Sequence, residues 1–278
     1  MKKQAFLQRL ASAPHIVWAA LFVVAPLLFV IYYAFTDENG HFTWQNFADL
    51  ATKDYAEIFL RSACFAFLAT VICLIIAYPI AYVISRASPK AQKILIVLVM
   101  LPQWMNFLIR TYSWMAILED TGIINSFLGL FGIGPIHMIN TAGAVILGMV
   151  YDFLPYMILP IYTVMTKIDN SLIEAAADLG GSSFKTMTRV IMPMSFSGIC
   201  SGITMVFVPC VSTFYISQRL GGTNTYLIGD EIEAKFMSLT QNYNVGAMLS
   251  CVLMVLIVIS TLVLNHFSDG DEKGGMVK

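Results

Sequence analysis

Two ionisable side chains sit deep inside apolar runs. Arg110 lies in Trp104-Met105-Asn106-Phe107-Leu108-Ile109-Arg110-Thr111-Tyr112-Ser113-Trp114, and Asp152 in Tyr151-Asp152-Phe153-Leu154-Pro155-Tyr156-Met157. A charge in such a place is costly, faces a protein interior, and marks either an ion pair or a solute path. Both chemistries are open. Arg110 and Asp152 can neutralise each other across adjacent helices. Alternatively, Asp152 is a stopping point for a cation, with the ring faces of Trp104, Tyr112, Trp114, Tyr151 and Tyr156 adding cation–π attraction. Pro209, Ser212, Thr213, Phe214 and Tyr215 form a further polar-aromatic group that can act as a gate.

A third constellation stands outside the apolar runs: Ser171-Leu172-Ile173-Glu174-Ala175-Ala176-Ala177-Asp178-Leu179-Gly180-Gly181, continuing to Ile191-Met192-Pro193. Asn170 or Ser171 can cap a helix here, and Glu174, three residues after Ser171, completes a capping box. Ala175, Ala176 and Ala177 are strong helix formers, and Gly180 suits the left-handed position that ends a helix. Ser182 or Ser183 can cap the next turn. Leu172, Ile173 and Leu179 anchor the helix while its acidic and small residues stay exposed. Such a segment is a rigid handle through which a soluble motor can work a permease.

The elements that must position these groups are membrane spans. The chain of 278 residues is 58% hydrophobic and only 12% charged, with mean hydropathy +0.75, which excludes an ordinary soluble domain. Six apolar runs, 16–35, 62–85, 94–118, 142–165, 190–216 and 245–267, reach the roughly 20 residues a crossing helix needs. The first follows Lys2, Lys3 and Arg9 but is too long for a signal h-region, and Tyr32-Tyr33-Ala34-Phe35 is a poor cleavage site, so it is expected to be retained. Residues 1–15 are then a short cytoplasmic lead and 16–278 a single permease domain.

With the N-terminus inside, eleven of the 16 Lys and Arg residues face the cytoplasm, four face out, and Arg110 is intramembrane. This bias puts both termini and the 166–189 loop in the cytoplasm. Ten carboxylates (Asp37, Glu38, Asp49, Asp54, Glu57, Glu119, Asp120, Asp230, Glu231 and Glu233) fall on the outer side. They either concentrate cationic solutes or only keep those loops solvated. Prolines at 79, 102, 155, 160 and 209 are expected to break four spans and line a cavity.

The pattern Glu174-Ala175-Ala176, then Gly180, Ile191 and Pro193, resembles the EAA signature of ABC-importer permeases. The resemblance implies an all-α, six-span, type I importer (MetI-like) fold with cytoplasmic termini. It makes 166–189 the coupling loop, with Glu174, Ala175, Ala176, Asp178, Leu179 and Gly180 meeting a cleft on a separate ATPase. Leu101-Pro102, Arg110-Thr111-Tyr112-Ser113-Trp114 and Tyr151-Asp152-Phe153-Leu154-Pro155-Tyr156-Met157 resemble, more narrowly, the permeases of spermidine/putrescine importers, most closely their B subunit. That likeness covers nearly the whole chain. It implies a polyamine cargo, a second homologous permease (the C subunit), two copies of an ATPase that binds ATP and Mg, a periplasmic polyamine-binding protein, and the bacterial inner membrane with its lipid. The expected substrate path then includes Asp152, Tyr151, Tyr156, Trp104, Tyr112, Trp114, Tyr215, Glu119 and Asp120.

Other chemistries find little support in the residues. Gly180-Gly181-Ser182-Ser183-Phe184-Lys185-Thr186 imitates a phosphate-binding loop, but Phe184 replaces the needed Gly and no strand precedes it. ATP, and any other cofactor, is therefore expected to bind elsewhere than on this chain. The chain is not expected to be an enzyme, because it has no nucleophile–base pair or histidine cluster. Nucleic acid is not an expected partner. Cys64, Cys73, Cys200, Cys210 and Cys251 lie within apolar runs and read as small hydrophobes. An ion-driven secondary transporter should show paired broken-helix repeats in two halves, and no such repeat is evident.

Overall fold

A computed structural model describes residues 14–50, 53–238 and 242–274; Lys2, Lys3, Arg9 and Lys278, expected to be cytoplasmic, lie outside them. In lipid each segment must satisfy its own backbone groups, so apolar runs become helices. Four helices are long and apolar enough to cross: α1 (Pro14–Ala34), α3 (Asp54–Arg86), α7 (Ala142–Met165) and the apolar part, Tyr243–Leu264, of α12 (Tyr243–Gly274). Between them run α2 (Gln45–Leu50), α4 (Pro89–Met100), α5 (Phe107–Leu118), α6 (Ile123–Gly129), α8 (Asn170–Asp178), α9 (Ser183–Met194), α10 (Phe196–Ser212) and α11 (Ile228–Met237). Six spans result if two bent pairs count once each. Pro89–Trp104 with Phe107–Gly129 turns through 88°, and Ser183–Met194 with Phe196–Ser212 through 72°.

These bends correct the expectation that prolines break four of the six spans. Pro79 stays inside α3, Pro155 and Pro160 inside α7, and Pro209 inside α10. Of the prolines singled out, only Pro102 lies at a break, in the 3-10 turn Leu101–Trp104. Asn106 then restarts the chain as α5 by accepting the Leu108 N–H at 2.8 Å. The second break falls at Ser195, after Met192-Pro193-Met194, where the backbone leaves helical geometry. The fully buried Ser195 Oγ donates to the Ile191 carbonyl at 2.8 Å and lies 3.0 Å from the Tyr78 hydroxyl, so α3 braces this bend.

Contacts divide the chain into two units. The first holds the described residues up to Ala56 together with Glu231–Leu256. There the Asn244 amide donates to the Tyr33 and Thr36 carbonyls and the Asn46 amide to the Ala34 and Thr36 carbonyls, closing a loop over Thr36–Phe42. The backbone N–H groups of His41 and Asn39 donate to Asp37, and the His41 bond leads in holding this exposed carboxyl below its usual range.

The second unit, Glu57–Asp230 with the C-terminal residues from Ile257, is organised around α7 packed on α10. Gly198 and Gly202, four residues apart, let the helices touch: a Cβ at Gly198 would stand 2.9 Å from the Pro160 carbonyl oxygen, and one at Gly202 2.6 Å from Met157 Sδ. Small residues at this spacing are a general device for close helix approach in lipid. Gly198→Val is expected to cost about 1–3 kcal/mol through overpacking, read as a lower unfolding temperature of the purified protein. An unchanged temperature would mean that α7 and α10 can separate freely.

Candidate functional site

The membrane-embedded site begins where α5 meets α7. Arg110 and Asp152 are buried, at 6% and 4% exposure, and their Nη1 and Oδ1 atoms lie 3.1 Å apart. The pair is an electrostatic contact without hydrogen-bond alignment: Arg110 Nε and Nη1 and Asp152 Oδ1 have no hydrogen-bond partner. Arg110 also stands over the Phe107 ring at 5.9 Å. Of the two chemistries open from sequence, the structure displays the ion pair, and Asp152 does not present a free carboxylate.

The aromatic residues fall into separate groups. Tyr112 and Tyr215 meet edge to face at 6.3 Å, and Phe107 packs on Tyr215 at 5.7 Å. Trp114 and Tyr151 meet at 5.3 Å. The Tyr156 hydroxyl reaches the Gln103 carbonyl oxygen at 3.4 Å, and the Gln103 amide donates to the Asp152 backbone carbonyl at 2.6 Å. Trp104 is 74% exposed and joins none of these ring pairs. Gln103 was not singled out from sequence, although a polar residue inside an apolar run was the signal that could have found it. Arg219 was also missed, and its guanidinium lies 5.5 Å from the Tyr112 ring and 5.4 Å from the Tyr215 ring.

The acidic outer residues are largely committed to local bonds. Asp230, 1% exposed, accepts from Ser217 Oγ at 2.9 Å and the Leu227 N–H at 2.7 Å, so it organises a loop instead of facing a mouth. Glu57 pairs with Arg61 and Glu231 with Lys235, each one turn away. Asp120 meets His137 Nδ1 at 3.0 Å, and Glu119 is exposed just beyond α5.

The handle forms largely as expected, with its cap shifted. Asp169, not Asn170 or Ser171, caps α8 by accepting the Ser171 N–H at 3.0 Å. That bond leads in lowering the Asp169 pKa. With the cap at Asp169, Glu174 lies two residues too late to close a capping box, and it stands exposed. At the other end the Gly181 N–H donates to the Ala176 carbonyl and the Gly180 N–H to the Ala177 carbonyl, with Gly180 at φ +77°. This doubly bonded turn requires glycine at its left-handed position. Ser182 then caps α9 through the Lys185 N–H, as expected.

Ala175, Ala176 and Asp178 lie on α8 with no buried residue among its nine, and the apolar side chains of Leu172, Leu179 and Phe184 are 43%, 89% and 77% exposed. Leu179 and Leu172 therefore do not anchor the helix to this chain.

Comparison with known proteins agrees with these features. The family described as "Binding-protein-dependent transport system inner membrane component" matches residues 76–270. The chain is 38% identical over 260 residues to the spermidine/putrescine transport system permease protein PotB of Haemophilus influenzae, covering 91% of each chain. It is 35% identical over 254 residues to the protein of the same name in Escherichia coli, covering 88% of this chain and 92% of that one. Its fold superposes on a subunit of a bacterial ABC transporter involved in import of the acidic polysaccharide alginate, with TM-score 0.80, 16% identity, and 99% and 98% of the two chains covered. A multi-pass chain with an exposed helix between α7 and the bent pair α9–α10 is thus matched in sequence and in fold, and it belongs to the inner-membrane-component family of binding-protein-dependent transport systems.

Proposed function

We propose that this chain is one of two homologous permeases in an ATP-driven polyamine importer of the bacterial inner membrane. The observation that carries the cargo assignment is its 38% identity, end to end, with a permease of a spermidine/putrescine system. The partner of this chain is a second, C-type permease. Two ATPase copies binding ATP and Mg sit on the cytoplasmic side, and a periplasmic polyamine-binding protein docks on outer segments 36–61, 119–141 and 217–244. Both termini and the 166–189 loop lie in the cytoplasm, in keeping with the distribution of Lys and Arg.

ATP binding closes the ATPase pair and moves α8, the loop residues Glu174, Ala175, Ala176, Asp178, Leu179 and Gly180 being the contact. The permeases rock outward, polyamine enters between them, and hydrolysis restores the inward-facing state. Tyr112 and Tyr215 line the outer part of the path. Their shared hold on the Arg219 guanidinium supports this reading, because ring faces that take one cation suit an extended ammonium chain. Trp114, Tyr151, Tyr156, Trp104, Glu119 and Asp120 border the same route. Asp152 acts on it through Arg110, as the neutralising partner that keeps a buried charge from blocking α5 and α7.

The test is uptake of radiolabelled spermidine by proteoliposomes holding the whole importer, with ATP inside and loaded binding protein outside. ATP-dependent uptake that excess putrescine inhibits is the expected result. A complex that hydrolyses ATP but accumulates no spermidine would refute the cargo assignment.

A further inference from the structure

The end of α3 is bonded to the end of α7 and the start of α8 through one side chain. Arg86 is the last residue of α3. Its guanidinium donates to the carbonyl of Met165, the last residue of α7, at 3.1 Å, to the Ile168 carbonyl in the turn that follows at 3.0 Å, and to the side-chain carbonyl of Asn170, the first residue of α8. Orphan carbonyls at a helix C-terminus carry partial negative charge, so a planar cation with several fixed donors is well suited to collect them. The guanidinium also lies 5.8 Å from the Tyr82 ring one turn back along α3, which fixes its direction.

A second side chain closes the same corner. The Gln92 amide donates to the Ser85 and Ala87 carbonyls, both at 3.0 Å, and its oxygen accepts from the Tyr162 hydroxyl of α7 at 3.1 Å. Three helix ends are therefore bonded at one point, immediately beside the start of α8. No residue of α8 is buried, so these bonds are its hold on the spans before it.

We propose that Arg86 is the positioning residue that transmits movement of α8 into α3 and α7. The proposal rests on α8 being the ATPase-facing handle. A handle joined only by the chain at its two ends could swing without moving the spans. The Arg86 fork removes that freedom by tying the first residue of α8 and the end of α7 to the same guanidinium. The arginine touches neither cargo nor nucleotide.

The assembled importer in nanodiscs gives the test, with ATPase co-purification, basal hydrolysis, hydrolysis stimulated by spermidine-loaded binding protein, and spermidine uptake in proteoliposomes read separately. In Arg86→Gln, co-purification and basal hydrolysis are expected to persist, stimulation to disappear, and uptake to fall about tenfold or more, the size of a typical coupling between sites. Arg86→Lys keeps the charge but not the fork, and is expected to recover part of the stimulation. Full stimulation and uptake in Arg86→Gln overturn the proposal.

If Arg86→Gln does not assemble, Asn170→Ala decides. It removes one acceptor from the handle and leaves the arginine in place. Reduced stimulation with normal co-purification supports the joint, and wild-type stimulation rejects it. Failure of the handle reading is seen independently: retention of the ATPase by both Leu179→Asp and Glu174→Ala removes that reading whatever Arg86 does.

Discussion

Leu179→Asp should separate this chain from its ATPase while leaving membrane insertion intact. Leu179 is 89% exposed, and Phe184 beside it 77%, so a charge placed there disturbs nothing within the chain. In the complex the same charge would be buried against a cleft without a partner, which is costly. A central contact of this kind contributes about 2 kcal/mol or more, so ATPase affinity should drop by about 30-fold. Glu174→Ala should weaken binding in the same direction, because the exposed carboxylate has no bond within the chain to lose. Gly180→Val should act differently: at φ +77° a branched side chain is strained, so the turn after α8 should rearrange and uptake should fail with the helix misdirected. Co-purification of the ATPase with each variant checks all three. Retention of the ATPase by both Leu179→Asp and Glu174→Ala would remove α8 from the interface.

Asp152→Asn should be the most destabilising single change inside the spans. It leaves Arg110 charged, 6% exposed and facing a neutral amide. Breaking a buried pair by removing one partner costs about 3–5 kcal/mol, whereas replacing both partners by apolar residues is often neutral. The double variant Arg110→Met, Asp152→Leu is therefore expected to regain most of the stability lost in Asp152→Asn. Thermal loss of the monodisperse complex in detergent measures this. Uptake by the stable double variant then separates the two chemistries. Transport that survives makes the pair structural, and transport that vanishes in a folded complex gives the pair a part in passage of the cation.

The apolar helices, the short helix at Asn170–Asp178 and the left-handed glycine were legible in the sequence, because hydropathy, alanine runs and helix-stop residues are local signals. Gly180 and Ser182 do what their types and positions predict. The cap moved to Asp169 because Asn, Ser and Asp compete for such positions and only the local backbone path decides among them. Kinks were misplaced for a related reason. Pro155, Pro160 and Pro209 remain inside helices, since neighbouring helices can take up the backbone groups a proline frees. The acidic outer surplus dissolved into local bonds at Asp37, Glu57, Asp230 and Glu231, which a charge count cannot distinguish from an open mouth. Gly198 and Gly202 were readable as a close-packing pair at a spacing of four and were passed over. Arg86 was counted only as a topological charge, because its partners at Met165 and Ile168 are backbone atoms 79 and 82 residues away.

The caps at Asp169 and Gly180, with the Arg86 bond at Asn170, have a kinetic consequence. A nine-residue helix without a buried face is too short to persist by itself in water, yet this one has both ends already bonded within its own chain. With α8 as the docking helix proposed above, an ATPase subunit arriving from solution would meet a formed shape and would not have to wait for a segment to order. Encounter can then be followed directly by docking, the ordering entropy having been spent when the permease folded. Exchange of ATPase subunits between permeases should accordingly be set by how fast they leave, and it is the dissociation rate that mutations along α8 should change.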